Sequence, residues 1–247
     1  MLLIAIVLAG SGVIAAITLR ADGRKPRSGP CRGALIPAYR GPDALARLTG
    51  PGHGRIVIVN PANGPGTVMQ PPLRRAIAAQ LRAGATVVGY VHTGYATRDP
   101  AAVRADVGRY RSWYGVNGVF LDEVSHTTEH LPYYQSIAAP LRESGETVVL
   151  NPGMVPARDY FDLADVVVTF EGRADDYAAA VRQTPDWLRA IPRARVAHLL
   201  YGASAEQATR AAGLRAAGYF YATSGTLPDP WNTMPSYLDE VGGGNCA

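Results

Sequence analysis

Apolar residues collect in eight short runs along this chain: 34–39 (ALIPAY), 55–61 (RIVIVNP), 86–92 (TVVGYVH), 118–123 (GVFLDE), 147–153 (TVVLNPG), 166–172 (VVVTFEG), 196–202 (VAHLLYG) and 218–223 (GYFYAT). Near-continuous β-branched and aromatic runs of this length predict strands buried on both faces, the condition of a parallel sheet. Between them the pattern changes to a helical period. Over 70–83, Leu73, Ile77 and Leu81 recur at i, i+4 and i+8, and Gly84 follows as a stop signal. The segment 99–113 opens with Asp99-Pro100, an N-cap followed by a proline suited to the first turn. Segments 130–144, 174–190 and 204–217 read as helices too, the last opening with a capping-box pair, Ser204 and Gln207. Shorter helical turns fall at 42–49 and 157–163, and a closing helix at 234–241. Strand alternating with helix eight times predicts an α/β fold, a single (β/α)8 TIM barrel over 34–247. The rival, a doubly wound nucleotide-binding sheet, needs a Gly-rich phosphate turn, and neither GxGxxG nor a Walker pattern is present.

In such a barrel the chemistry sits at the C-terminal ends of the strands, and these ends are where the polar residues gather. In order they offer Tyr39; Asn60; Tyr90 and His92, with Thr93 and Tyr95 beyond; Asp122 and Glu123; Asn151; Glu171; Tyr201; then Tyr221 and Thr223, with Trp231 in the last loop. The opposite ends carry no such cluster. A carboxylate at the mouth of an apolar barrel needs a partner or a task. Asp122 and Glu171, on runs two apart, fall on facing parts of the rim, with Glu123 beside them. A carboxylate pair across a cleft is what glycoside hydrolysis requires, one ionised as nucleophile or base and one protonated as acid. The other readings are a structural salt bridge to arginine, or a divalent-metal site using oxygens of Asp122, Glu123, Asn151 and Glu171. Tyr39, Tyr90, Tyr95, Tyr201 and Trp231 suit sugar stacking; Asn60 and Asn151 suit hydroxyl recognition. His92 reads as a substrate contact or base, or as a satisfied structural group. His198, mid-strand, reads as core. His126 and His130 lack an HExxH frame, and no GxSxG is present. The NGPG at 63–66 lacks the lysine of a phosphate loop and reads as a rim turn.

Composition narrows the class. With 247 residues, 47% hydrophobic and 18% charged, the chain can bury a full core. The formal charge is +4, but residues 1–30 hold Arg20, Arg24, Lys25 and Arg27 against Asp22, a net +3 that leaves +1 for the rest. That balance argues against a nucleic-acid partner. Residues 1–19 contain no charged side chain, so residues 1–20 read as a signal peptide or an N-terminal membrane anchor, with 21–33 as a linker. Export would place Cys31 and Cys246 in an oxidising compartment. Cys31 lies three residues before the first strand, and the closing helix returns the chain to the same end of the barrel. Their pairing as a disulfide is therefore expected.

The motifs IPAY (36–39), IVNPANGPG (58–66), VVGYVHTGYATR (87–98), WYGVNGVFLDE (113–123), VVLNPG (148–153) and VVTFEG (167–172) resemble, in order, the spherulin-4-like proteins, or spherulation-specific family 4. The resemblance implies a (β/α)8 barrel among the glycoside hydrolases (family 135), whose fungal members are secreted or anchored enzymes that cut α-1,4-linked N-acetylgalactosamine. It carries the family's acidic pair onto Asp122 and Glu123, and its later glutamate onto Glu171. Where this chain has His92 the family often carries another residue.

The expectation is an exported, monomeric glycoside hydrolase acting without a cofactor on an amino-sugar polysaccharide. Asp122 serves as nucleophile or ion stabiliser, Glu171 as general acid/base and Glu123 as an auxiliary carboxylate, with roles within the trio open to exchange. The alternative is a non-catalytic surface protein that binds carbohydrate on the same rim.

Overall fold

A computed structural model describes residues 33–242. The predicted export segment, both cysteines and their expected disulfide lie outside the described residues. Eight parallel strands close into a barrel in chain order: β1 (Gly33–Pro37), β2 (Arg55–Val59), β3 (Thr86–His92), β4 (Gly118–Asp122), β5 (Thr147–Leu150), β6 (Val166–Arg173), β7 (Val196–Tyr201) and β8 (Tyr219–Ala222). β8 completes the ring by pairing Tyr219 with Gly33 and Phe220 with Ala34. Closure removes both sheet edges, and the strand residues between Ala34 and Val168 are almost all inaccessible to solvent.

The helices lie outside, in the order α1 (Pro42–Ala46), α2 (Pro71–Arg82), α3 (Pro100–Arg109), α4 (Leu131–Glu143), α5 (Tyr160–Leu163), α6 (Tyr177–Arg182), α7 (Asp186–Arg189), α8 (Ala205–Gly213) and α9 (Leu238–Gly242). Their starts follow the local chemistry. The Asp99 carboxylate accepts the Ala101 amide at the head of α3, and Ser204 and Gln207 form the reciprocal capping box of α8. On α2, Leu73 and Ile77 are fully buried against the barrel. The last turn of the α3 segment widens into a π turn, Tyr110–Tyr114. It sets the Tyr110 ring so close over Gly89 that a Cβ there would stand 2.4 Å from it.

Four predicted boundaries are corrected, each at or near a proline. The segment 174–190 is two short helices, because Pro185 has no amide to donate and restricts the residue before it. The closing helix begins at Leu238, beyond Pro235, rather than at 234. β1 stops at Pro37 and β5 at Leu150, before Pro152, so Tyr39 and Asn151 stand on loops just past their strands.

Between β6 and β7 the register slips by one residue at Val168/Phe170. The extra residue, Thr169, bonds His198 at Nε2 (2.9 Å), while Phe170 meets the same imidazole edge-on and Tyr177 bonds its Nδ1 at 2.9 Å. Burial pushes the His198 pKa down from 6.5 to about 4. The unfolded chain therefore takes up this proton near pH 6.5 and the folded chain near 4. His198 thus contributes stability above pH 6.5 that is lost as pH falls, by up to about 1.4 kcal/mol per unit. The stability advantage of the wild type over His198→Gln should be greatest near neutrality and shrink on acidification toward pH 4. Denaturant titrations at several pH values check this; an advantage independent of pH refutes it.

Candidate active site

Asp122 is the last residue of β4, and Glu171 lies near the end of β6, just after the extra residue. A bulge beside a site re-aims the side chains that follow it; here it points Glu171 into the mouth. Asn151, first residue after β5, stands between them. Its Nδ2 donates to Asp122 Oδ1 at 2.7 Å and to Glu171 Oε2 at 2.5 Å. Two contacts to one nitrogen limit those oxygens to about 5.2 Å apart. The Asn151 carbonyl accepts from the Gly153 amide at 3.0 Å, which fixes the orientation of the side-chain amide. Gly153 (φ 70) then accepts the Glu171 backbone amide, 2.9 Å, locking the β5 loop to β6.

The two carboxylates meet different surroundings. Asp122 also accepts from the Tyr90 hydroxyl and the Glu123 amide; burial raises its pKa, and these bonds act against the rise. Glu171 accepts from Asn151 and the Trp231 indole, and burial followed by the Asp122 charge pushes its pKa up to about 7. Asp122 has three donors to its charged form and Glu171 two, and the Asp122 charge raises Glu171, so Asp122 is the member of the pair that ionises first and Glu171 the one that holds a proton longer.

Glu123 adopts φ 53, in the left-handed region, at a cost on the order of 1–3 kcal/mol. The surrounding bonds hold it there. Thr93 Oγ1 lies 2.9 Å from the Asp122 carbonyl and 2.7 Å from that of Glu123, and the Thr93 and Tyr95 amides donate to the same two carbonyls. The Tyr134 hydroxyl braces Thr93 Oγ1 at 3.2 Å and accepts the Ser125 amide at 2.8 Å. The turned side chain accepts the Gly94 amide at 3.2 Å and lies 3.7 Å from His92 Nδ1.

The family model for "Spherulation-specific family 4" matches residues 41–242. The chain belongs to that family. Spherulin-4 of Physarum polycephalum is 29% identical over 227 residues, covering 83% of this chain and 68% of that protein. The crystal structure of Aspergillus clavatus Sph3 in complex with GalNAc matches with a TM-score of 0.69 at 22% identity, covering 86% of this chain and 96% of that one. A chitinase from Rhizomucor miehei shares the fold at 8% identity (TM-score 0.50; 81% and 96% covered).

In this member of spherulation-specific family 4 the predicted trio and Asn151 converge on one end of the barrel. Tyr90 reaches Asp122, and Tyr39 packs edge-on against Tyr90 with ring centroids 5.7 Å apart. Trp231 reaches Glu171 and touches the rings of Tyr201 (6.1 Å) and Tyr221 (6.2 Å). Tyr95 stands 60% exposed on the rim. Asn60 turns inward to its own loop, accepting the Gly64 amide at 2.9 Å, so it braces the 61–66 turn. His198 is core, as expected. Neither Asp122 nor Glu171 has a basic group within 4.0 Å among the described residues, so the salt-bridge reading fails. An amide donor, not a cation, occupies the point where their oxygens converge. Sequence reasoning assigned no role to Thr93 and did not single out Tyr134; nothing in the helical run LPYYQ distinguishes the tyrosine that reaches the site.

Asn151→Leu removes the donor shared by both carboxylates. The Glu171 pKa should then rise further above its present value of about 7, because a bond to the charged form is lost. Stability should fall by about 1–3 kcal/mol for the acceptors left unsatisfied. Carboxyl-carbon NMR titration and thermal melting measure the two effects; an unchanged Glu171 titration contradicts the bridging role.

Proposed function

We propose that this chain is an exported, monomeric glycoside hydrolase acting on an amino-sugar polysaccharide by a double displacement. The observation that carries the reading is the Asn151-bridged pair: two carboxylates from β4 and β6, either side of β5, their bonded oxygens within about 5.2 Å, Asp122 with three donors to its charged form and Glu171 titrating near 7. Retaining glycosidases hold their carboxyl groups about 5–5.5 Å apart, whereas inverting enzymes need about 6.5–9.5 Å to admit a water. The GalNAc bound in the Aspergillus clavatus Sph3 structure, which shares this fold, supports an N-acetylhexosamine-containing polymer as the substrate class.

Protonated Glu171 donates its proton to the glycosidic oxygen as that bond breaks, and an Asp122 oxygen bonds the anomeric carbon. Glu171, now ionised, takes a proton from water as the water oxygen displaces Asp122 and restores the first configuration. Glu123, held beside His92 and the Gly94 amide, adds negative charge near the developing oxocarbenium ion. Tyr39, Tyr90, Tyr201 and Trp231 form an aromatic wall for the ring, and Tyr95 a platform on the rim.

The uncharged run of residues 1–19 supports export, with the segment cleaved or retained as an anchor. In the oxidising compartment Cys31 and Cys246 would pair.

Glu171→Gln and Asp122→Asn should each lower turnover by about 10²–10⁴-fold or more with little change in melting temperature. The sign of the pH dependence follows from the roles. Activity declines above about pH 7 as Glu171 loses its proton, and declines in acid as Asp122 gains one. The high-pH limb should disappear in Glu171→Gln. Reducing-sugar release from amino-sugar polymers is the assay; binding without any release would favour the carbohydrate-binding alternative, and near wild-type release by both variants would remove these residues from catalysis.

A further inference from the structure

Beside the carboxylate pair, between the β1 and β8 loops, lies a cavity of about 100 Å³. Its walls are Tyr39 and Trp231, the two rings that also back the catalytic pair, and Pro37, Ala44 and Met234 supply apolar surface. Its charged lining is Arg40, Arg47 and Asp43, an excess of one positive charge. Neither arginine lies within 4.0 Å of a carboxylate among the described residues. Arg40 follows Tyr39 in the loop after β1, and Arg47 caps the C-terminal end of α1. The Arg47 charge also reaches inward, acting on Tyr221 of β8.

We propose that this cavity is a subsite for a sugar unit bearing an anionic group, a carboxylate or a sulfate, next to the bond that is cut. The inference rests on the glycosidase reading and extends it to substrate selection. Three features define the unit it takes. Two guanidinium groups that are not paired with carboxylates present planar forks of donors matched to carboxylate or sulfate oxygens. The apolar and aromatic walls suit the body of a sugar ring rather than a free ion. The catalytic centre next door carries Asp122, Glu123 and Glu171 and repels an anionic sugar, so the mouth tolerates such a unit only where counter-charge is supplied. Arg40 and Arg47 supply it on the β1/β8 side. The enzyme would then prefer polymers in which a charged sugar adjoins the amino sugar.

The test reads binding rather than turnover, so its failure is distinct from a failure of the hydrolase reading. The indole N–H signal of Trp231 is followed by NMR during titration with galacturonate, galactose 6-sulfate and galactose. Trp113 and Trp187, away from the cavity, serve as folding controls. Expected is a saturable shift of the Trp231 signal with one or both anionic sugars and none with galactose at equal concentration. In the Arg40→Gln/Arg47→Gln double variant the dissociation constant should rise by about tenfold or more. The unmodified protein should show the same weakening in about 1 M NaCl, where charges are screened within about 3 Å, so the proposal stays testable if the double variant misfolds. The two anions tell a carboxylate subsite from a sulfate one. Equal shifts with galactose, no shift with either anion, or anion binding indifferent to both the variant and salt would overturn the proposal.

Discussion

The arrangement at this barrel mouth depends on one side-chain amide. Two carboxylates brought within about 5.2 Å in a partly desolvated site repel each other and lack water. The Asn151 amide gives each a donor from a single nitrogen, and its carbonyl is held in turn by the Gly153 amide. A lysine or arginine there would drive both groups to ionise. A neutral donor leaves the balance to the remaining neighbours. Tyr90 and the Glu123 amide support charge on Asp122, while burial and the Asp122 charge hold the proton on Glu171. The difference in chemical role thus comes from an asymmetry of hydrogen bonds around an otherwise symmetric pair.

Holding that pair requires backbone the regular barrel does not provide. β6 carries an extra residue before Glu171, and the chain turns left-handed at Glu123 directly after Asp122. Both irregularities are enclosed by bonds to neighbouring elements. The buried His198, Thr169 and Tyr177 chain fills the space behind the β6 slip, and Thr93 with Tyr134 secures the Glu123 turn from the β3 side. Strain at a site persists where its surroundings over-determine it. Here those surroundings are the barrel strands, the most rigid part of the fold. The rim loops beyond, which carry Tyr95 and line the arginine-bearing cavity, are where substrate preference can vary without disturbing the pair.

Much of this was legible in the chain itself. Burial on both faces leaves a strand no polar side, so the eight apolar runs mark the barrel strands directly, and local rules of capping place Asp99 and Ser204 at helix starts. The same logic exposes the site, since a polar residue after such a run must lie at its end. That is why Asp122, Glu123, Asn151 and Glu171 stand out together. Proline supplied the departures: Pro185 and Pro235 act locally, yet their neighbours' helical pattern outweighs them on inspection.

What the chain alone did not contain is relative position. Whether Asn151 touches sugar or bridges two acids depends on its distance from residues 29 and 20 positions away. Asn60 accepts the Gly64 amide of its own loop, and Trp231 gives its indole hydrogen to Glu171, contacts that no pattern in the sequence announces. The slip at Thr169 leaves no trace in sequence, because one extra residue in a strand is visible only against its partner. Local free energies fix which segments form strands and helices; the bonds that set proton affinity, orientation and counter-charge are made across the barrel and exist only once it has closed.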